Sequence, residues 1–173
     1  KKINYIRMIN NTFNDHTNVA KKTLKSVSKK IEKSSDVIAK SLKSGGTIFW
    51  CGNGGSAADS QHIAAEFVGR FKKDRRPLRS IALTTDTSVL TCISNDYSFS
   101  DIFSRQLNAL GREGDVLVAI TTSGESLNIK KVLVQAQKMR IKTIGLLGKK
   151  GGTCKNYTDI PMIVPSDITA RIQ

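Results

Sequence analysis

The sequence Thr47-Ile-Phe-Trp-Cys-Gly-Asn-Gly-Gly-Ser56 joins an apolar, strand-like run to a glycine-rich turn, and a helical pattern follows directly. A second segment repeats this arrangement, because Asp115-Val-Leu-Val-Ala-Ile120 runs into Thr121-Thr-Ser-Gly-Glu-Ser126 and then into another helical pattern. Each turn places hydroxyls and backbone N–H groups at a helix N-terminus, where an anion is well held. Two such turns at the carboxyl ends of parallel strands predict one binding site for a phosphate-bearing small molecule.

Strand-like and helical patterns alternate through the rest of the chain. Strands are predicted at 47–51, 80–84, 115–120, 142–147 and 159–164, and helices at 56–71, 87–94, 99–110 and 126–139. The runs at 116–120 and 143–147 are almost continuously apolar, as in strands covered on both faces. This pattern predicts an α/β fold, a doubly wound and mainly parallel five-stranded sheet flanked by helices in a three-layer sandwich.

Residues 1–45 contain no proline and only one glycine, Gly45. Apolar residues recur at helical spacing, which predicts two helices with a break near Asn14–Thr17 and an end at Gly45-Gly46. These helices are expected to pack on the sheet and on a neighbouring subunit. At the other end, Ser166, Asp167 or Thr169 is expected to cap a final helix that continues beyond Gln173.

Length, composition and charge limit the kinds of protein that this chain can be. A chain of 173 residues with 39% apolar residues predicts a single domain, 1–173, with one core. No apolar stretch reaches the length of a membrane span, and three widely spaced cysteines favour reduced thiols and a cytoplasmic protein. Cys51 is expected to pack at a strand end rather than to react. The net charge of +14 predicts a solvated basic face; a nucleic-acid partner is not expected, because no aromatic residues interleave with the charges.

His62 and Glu66 are the residues best suited to chemistry in the helix that starts at Ser56. They stand at positions i and i+4, so both lie on one helix face and can share a proton or a metal ion. A carboxylate beside an imidazole, close to a phosphate site, suits proton abstraction next to a sugar carbonyl. The alternative is a structural pair with a buried histidine and a surface glutamate, and the spacing alone does not separate the two.

Other segments leave alternatives open. Gly52-Asn-Gly-Gly-Ser-Ala57 also fits the dinucleotide fingerprint, with Asp86 as the acidic residue after the next strand, although a dinucleotide site does not need the second turn. Asn95-Asp96 could make a simple turn or hydrogen-bond sugar hydroxyls. Helix capping by Ser123 or Ser126 is the structural alternative to phosphate binding at the second turn.

The segment from Cys51 to Glu66 resembles the first signature of the sugar-isomerase (SIS) domain family, in its phosphoheptose isomerase branch. Asn95-Asp96, Asp101–Arg105, Gly111–Asp115, Thr121–Gly124 and Thr169–Gln173 resemble the rest of the pattern in order and spacing. The resemblance covers essentially the whole chain. It implies the SIS fold, which is flavodoxin-like, and a homotetramer that converts sedoheptulose 7-phosphate to D-glycero-D-manno-heptose 7-phosphate through a cis-enediol, toward bacterial lipopolysaccharide or capsule.

The resemblance also implies site residues. Glu66 would be the general base, with His62 as a second catalytic residue, and zinc would be bound by His62, Glu66, Gln173 and a further histidine beyond Gln173. The substrate-binding residues it implies are Asn53, Gly54, Gly55, Ser56, Glu66, Asn95, Asp96, Thr121, Thr122, Ser123, Ser126 and Gln173. Thr121 departs from the usual serine but keeps the hydroxyl.

A non-catalytic adaptor is the main alternative within the same fold. It would resemble the initiator-associating factor of bacterial DNA replication, which keeps the fold and the tetramer but binds a replication protein. Such adaptors tend to lose the glutamate and the intact glycine turn, whereas Glu66, Gly55 and Ser123-Gly124 are all present here. The sequence therefore favours the isomerase.

Overall fold

The computed structural model describes residues 3–173. The helices are α1 (Tyr5–Lys43), α2 (Gly55–Val68), α3 (Thr87–Asp96), α4 (Ile102–Leu110), α5 (Leu127–Lys138) and α6 (Thr169–Ile172). The strands are β1 (Ile48–Gly52), β2 (Ser80–Ala82), β3 (Val116–Thr121), β4 (Lys142–Leu147) and β5 (Ile160–Ile163). Three short 3₁₀ turns complete the order, at Phe99–Asp101, Lys149–Gly151 and Cys154–Tyr157.

The five strands form one parallel sheet in the order β2-β1-β3-β4-β5. Strand order reverses between β1 and β3, because the chain builds outward to β2 on one side and to β4 and β5 on the other. The prediction of a doubly wound, flavodoxin-like sheet is therefore confirmed, and each predicted strand lies within two residues of its observed bounds.

Side chains alternate between the two faces of the sheet and build two cores. Phe49, Cys51, Leu117 and Ala119 face α3, α4 and α5, in a cluster that includes Phe103 and Leu133 from these helices. On the other face, Ile48, Trp50, Val116 and Val118 lie in a second cluster with residues of α1 and α2, among them Val37 and Ala64. Since β1 and β3 are covered on both faces, their continuous apolar runs are explained.

The prediction of two N-terminal helices is wrong. Residues Tyr5–Lys43 form one uninterrupted helix, and Asn14–Thr17 lies inside it. The polar residues there were interpreted as a break, but none is proline or glycine. The Thr17 hydroxyl instead donates to the carbonyl of Phe13, one turn back, at 2.9 Å, so a residue that could compete with the helix bonds within it. The predicted end at Gly45 is confirmed, since Gly45 adopts φ +78° after the cap residue Ser44.

The final helix, α6, begins where a helix was expected, but its capping differs. Ile168 occupies the N-cap position, and no side chain caps the helix. The Ser166 hydroxyl accepts a hydrogen bond from the N–H of Ile168 at 3.2 Å, so this serine shapes the approach to the helix. Within residues 3–173, no helix combines the length and the apolar character that a membrane span requires.

Candidate functional site

The two predicted turns meet at the point where the strand order reverses. β1 and β3 are direct neighbours, and the last pair of their ladder joins Gly52 to Ile120. The glycine-rich turn therefore leaves β1 beside the hydroxyl-rich turn that leaves β3. In open α/β sheets this crevice, at the carboxyl ends of the strands, is where ligands bind. The prediction that the turns form one site agrees with this placement.

The glycine-rich turn leads directly into α2. Gly54 holds the N-cap position with φ +56°, a conformation that side chains rarely adopt. With no capping side chain there, the first N–H groups of α2 have no side-chain acceptor from the cap residue. Ser56 is 4% exposed, and the amide of Gln173 lies so close to Gly55 that a Cβ there would overlap it.

In the second turn, three hydroxyls converge. The Thr121 hydroxyl lies 3.3 Å from both the Ser123 and the Ser126 hydroxyls. Ser126 stands at the N-cap of α5 but its side chain makes no capping hydrogen bond, and Ser123 accepts from the N–H of Glu125 at 3.1 Å. The Ser126 hydroxyl therefore does not cap α5, so helix capping does not account for this serine. Three neutral donors at a helix N-terminus are chemically suited to a phosphate group.

The loop that contains Gly151 and Thr153 packs against the hydroxyl-rich turn and supports it. Gly124 has φ +70°, and a Cβ at this position would overlap the carbonyl group of Gly151. The N–H of Cys154 donates to the Gly124 carbonyl at 2.9 Å. The Glu125 carboxylate accepts from both the N–H and the hydroxyl of Thr153, each at 2.9 Å. The hydroxyl-rich turn is therefore held by close backbone contact as well as by side chains.

A cavity of about 360 Å³ opens beside the two turns. Its polar lining includes Ser56, Thr122, His62 and Gln173, and its apolar lining comes from α1, α2, α6 and the strands β3, β4 and β5. Thr122 therefore lies on the cavity side, whereas Thr121, Ser123 and Ser126 cluster together. The cavity joins both turns to the first half of α2 and to the last residue described.

His62 and Glu66 lie on one face of α2, as their spacing predicted. His62 Nε2 is 3.5 Å from Glu66 Oε1, and the side chains are 76% and 32% exposed. The alternative of a buried histidine is therefore wrong. A second cavity, of about 470 Å³, is lined by both residues together with Phe67, Phe71 and Arg75. His62 lines both cavities, whereas Glu66 lines only the second.

The fit of this pair to a metal ion is partial. Histidine and carboxylate are good zinc ligands, and the two lie close enough to share an ion. Within the part of the chain that the structure describes, no group of three or more histidine, cysteine or acidic side chains could hold a metal. Gln173 donates from Nε2 to Asp59 Oδ2 at 3.2 Å, so its amide oxygen has no protein partner in that contact. His62 and Glu66 are therefore chemically suited to share an ion, but the described residues do not include a third acidic, histidine or cysteine ligand beside them.

Asn95 and Asp96 end α3, both are exposed, and Asn95 Nδ2 donates to Asp96 Oδ1 at 2.8 Å. Neither lines the two cavities formed by the described residues. The structure therefore brings most of the predicted site residues together, but not these two. Asp86 caps α3 by accepting from the N–H of Val89 at 2.9 Å, which gives this acidic residue a structural role.

Cys51 is fully buried at the end of β1, and burial raises the pKa of its thiol far above the ordinary value, with nearby Cys154 adding to the shift. A thiol held in this protonated form is a poor nucleophile. Packing at the strand end is therefore the role that the structure supports.

One polar residue at this site was not found from the sequence. Asn128, in the first turn of α5, is 3% exposed, and its amide pairs with that of Asn53 across the two turns. An asparagine at a helix start suggests capping, and nothing in the local sequence indicates a partner 75 residues away.

The fold and the site match known proteins. A family model described as SIS domain matches residues 12–148. A phosphoheptose isomerase of Clostridium acetobutylicum is 56% identical over 138 residues, which cover 80% of this chain and 70% of that protein. A phosphoheptose isomerase of Geotalea daltonii is 49% identical over 168 residues, covering 97% of this chain and 88% of the relative.

Solved structures agree with these sequence matches. The phosphoheptose isomerase of Neisseria gonorrhoeae superposes with a TM-score of 0.91 at 38% identity, covering 97% of this chain and 90% of that one. A phosphoheptose isomerase of Francisella tularensis gives 0.94 at 36% identity, covering 98% and 91%. The similarity in fold thus extends over nearly the whole chain.

Proposed function

This chain belongs to the SIS domain family, and we propose that it is a phosphoheptose isomerase. The reaction is the aldose–ketose isomerisation of sedoheptulose 7-phosphate to D-glycero-D-manno-heptose 7-phosphate, an early step toward bacterial heptose for lipopolysaccharide or capsule. The observation that carries the proposal is the meeting of the two turns where the strand order reverses, beside a cavity lined by His62, whose neighbour one helical turn further along α2 is Glu66.

The phosphate group would bind at the hydroxyl-rich turn. Thr121, Ser123 and Ser126 converge there, and the N-terminus of α5 adds a favourable dipole. Thr122 and Ser56 face the adjoining cavity and would hold the same end of the substrate. These hydroxyls are neutral donors, so they bind a dianion without a buried countercharge.

The sugar chain would extend from there over the glycine-rich turn. Asn53, Gly54 and Gly55 would bind it through the backbone and the Asn53 amide, and Gln173 lies against Gly55 on the cavity side. Asn95 and Asp96 are proposed to contact sugar hydroxyls, as the family resemblance implies. Their exposed amide and carboxylate groups are chemically suited to that role.

Glu66 would move the proton. As a carboxylate it takes the proton from C1 of the ketose while O2 gains a proton, which gives a cis-enediol. It then returns the C1 proton to C2 while O1 loses its hydroxyl proton, so that the net change also moves one proton from O1 to O2. The aldose results, and Glu66 is regenerated as a carboxylate. His62, with Nε2 3.5 Å from the Glu66 carboxylate, is placed to hold or exchange a proton with it.

Zinc is proposed at the same face of α2. His62, Glu66 and the amide oxygen of Gln173 would hold it, with a further histidine as the fourth ligand. Bound zinc would polarise the carbonyl or its hydroxyl partner.

A homotetramer in the cytoplasm is proposed as the working state. Residues 3–13, at and just before the start of α1, carry large apolar side chains that the other described residues do not cover, and exposed apolar patches of this kind favour association with another subunit. The exposed residues are Ile3, Tyr5, Ile6, Met8, Ile9 and Phe13.

Turnover of sedoheptulose 7-phosphate by the full-length protein, with and without added zinc, tests the proposed function. We expect aldose formation, a mass by light scattering of four subunits, and a dependence on zinc if the metal takes part. A folded tetramer that gives no aldose under either condition would contradict the isomerase and favour the adaptor.

Ser123→Ala tests phosphate binding at the second turn. We expect KM for the sugar phosphate to rise about tenfold, since one hydrogen bond to a charged group contributes about 1.5 kcal/mol. The melting temperature should change little, because both contacts of the Ser123 hydroxyl, with the N–H of Glu125 and with the Thr121 hydroxyl, are local to the turn. A lower melting temperature with KM and kcat unchanged would mean that Ser123 serves the turn alone.

A further inference from the structure

A reciprocal amide pair joins the two turns of the proposed site. Asn53 Nδ2 donates to Asn128 Oδ1 at 2.9 Å, and Asn128 Nδ2 donates back to Asn53 Oδ1 at 2.8 Å. Asn53 lies in the glycine-rich turn, and Asn128 lies two residues after Ser126 in the first turn of α5. Asn128 is only 3% exposed, whereas Asn53 is half-buried, so the pair has one side in the protein interior and one side near the surface.

Within the described residues, the Asn53–Asn128 pair supplies the hydrogen bonds that link the two turns. The pairing of β1 with β3 ends at Gly52 and Ile120, so no strand pairing holds together the turns that follow these residues. Among the described residues, no other hydrogen bond joins residues 53–56 to residues 121–128. The distance between the two turns at the level of the ligand therefore depends on the contact between these two side chains.

We propose that Asn128 is a positioning residue, which holds the glycine-rich turn at a set distance from the hydroxyl-rich turn so that one sugar phosphate can contact both. This inference rests on the proposed function for the identity of the ligand. It assigns to Asn128 an action through Asn53, not a contact with the reacting atoms.

The chemistry of the amide group supports this role. A side-chain amide has two N–H donors and one carbonyl oxygen, and the pair uses one donor and the oxygen of each residue. The pairing holds the plane of the Asn53 amide, and it leaves the second N–H of Asn53 able to donate to a substrate oxygen. Without Asn128, the Asn53 amide could rotate or bond to water, and a ligand would have to order it again.

Asn128→Ala in the full-length protein tests the inference, with Gln135→Ala as the matched control. Gln135 lies on the same helix, and its amide donates to Asn108 Oδ1 at 2.8 Å in an exposed contact away from the turns. We expect KM for sedoheptulose 7-phosphate to rise about tenfold in Asn128→Ala, the effect of about one net hydrogen bond, with a smaller change in kcat. In Gln135→Ala, both constants should stay at the wild-type values.

Hydrogen exchange in the ligand-free protein gives a readout that does not depend on the substrate. In Asn128→Ala, the amides at the start of α2, in residues 53–58, should exchange several-fold faster, while the amides of β4 keep wild-type rates. The double variant Asn53→Ala/Asn128→Ala should match Asn53→Ala alone in KM, because Asn128 acts only through Asn53.

The outcomes separate the two proposals. A lower melting temperature with KM and exchange unchanged, or additive effects in the double variant, would overturn the positioning role. If the wild-type protein does not turn over the heptose phosphate, the proposed function fails, and faster exchange at 53–58 still decides whether Asn128 orders the glycine-rich turn. Should Asn128→Ala not fold, Asn128→Leu keeps the branched shape of the side chain without its hydrogen-bonding atoms and gives the same measurements.

Discussion

Glu66→Gln is expected to lower kcat for heptose phosphate isomerisation by about 10³-fold, while the affinity for the sugar phosphate changes by about twofold or less. The amide keeps the size of the carboxylate but cannot accept the C1 proton. Arg75 donates to the backbone carbonyl of Glu66 at 2.7 Å, not to its side chain, so that contact survives the substitution. Activity should be followed by aldose formation and binding by calorimetry, so that the loss is located in the chemical step.

Glu113→Gln is the matched control for this change. Glu113 is a solvent-exposed glutamate whose carboxylate pairs with the exposed Arg140 at 3.3 Å, away from the two turns, so its substitution should leave turnover unchanged. Zinc content should be measured in parallel. Loss of turnover with zinc retained would identify Glu66 as the base, and loss of both would identify it as a metal ligand. Activity near that of the wild-type protein would contradict either role for Glu66.

Much of the site could be predicted because its parts are local in sequence. The glycine-rich turn, the hydroxyl-rich turn and the spacing of His62 and Glu66 each depend on a few neighbouring residues, and parallel strands then place the two turns at one edge. The same local reasoning failed at Asn14–Thr17, where polar residues suggested a break. A helix propagates through such residues when no proline or glycine intervenes and when side-chain hydroxyls bond back to the preceding turn.

What the sequence could not indicate depends on contacts between distant residues. The pairing of Asn53 with Asn128 and the contact of Glu125 with Thr153 join segments far apart in the chain. An asparagine or a glutamate in a turn has many local uses, so its type alone does not identify a distant partner. The exposed apolar residues of α1 are a further example, because their helical spacing predicted burial that this chain alone does not provide.

Gly124→Ala is the substitution with the largest expected effect on the phosphate turn. Gly124 has φ +70°, which costs an L-residue about 1–2 kcal/mol, and its Cβ would overlap the backbone of Gly151 and Gly152. Overpacking against backbone adds about 1–3 kcal/mol, so we expect a loss of about 3 kcal/mol in the free energy of unfolding, measured by urea denaturation. The turn must move to relieve the overlap, and KM for the sugar phosphate should rise beyond the range where saturation is reached.

Gly45→Ala separates the two causes of this effect. Gly45 has a similar φ of +78°, but a Cβ there would meet nothing within 4 Å, and the residue lies after α1, away from the two turns. It should therefore lose only the backbone contribution, about 1–2 kcal/mol, and keep KM unchanged. Equal losses of stability in the two variants would show that the close approach of Gly124 to Gly151 is unimportant. A Gly124→Ala variant with the wild-type KM would contradict phosphate binding at this turn, since the turn could not shift without moving the hydroxyls of Thr121, Ser123 and Ser126.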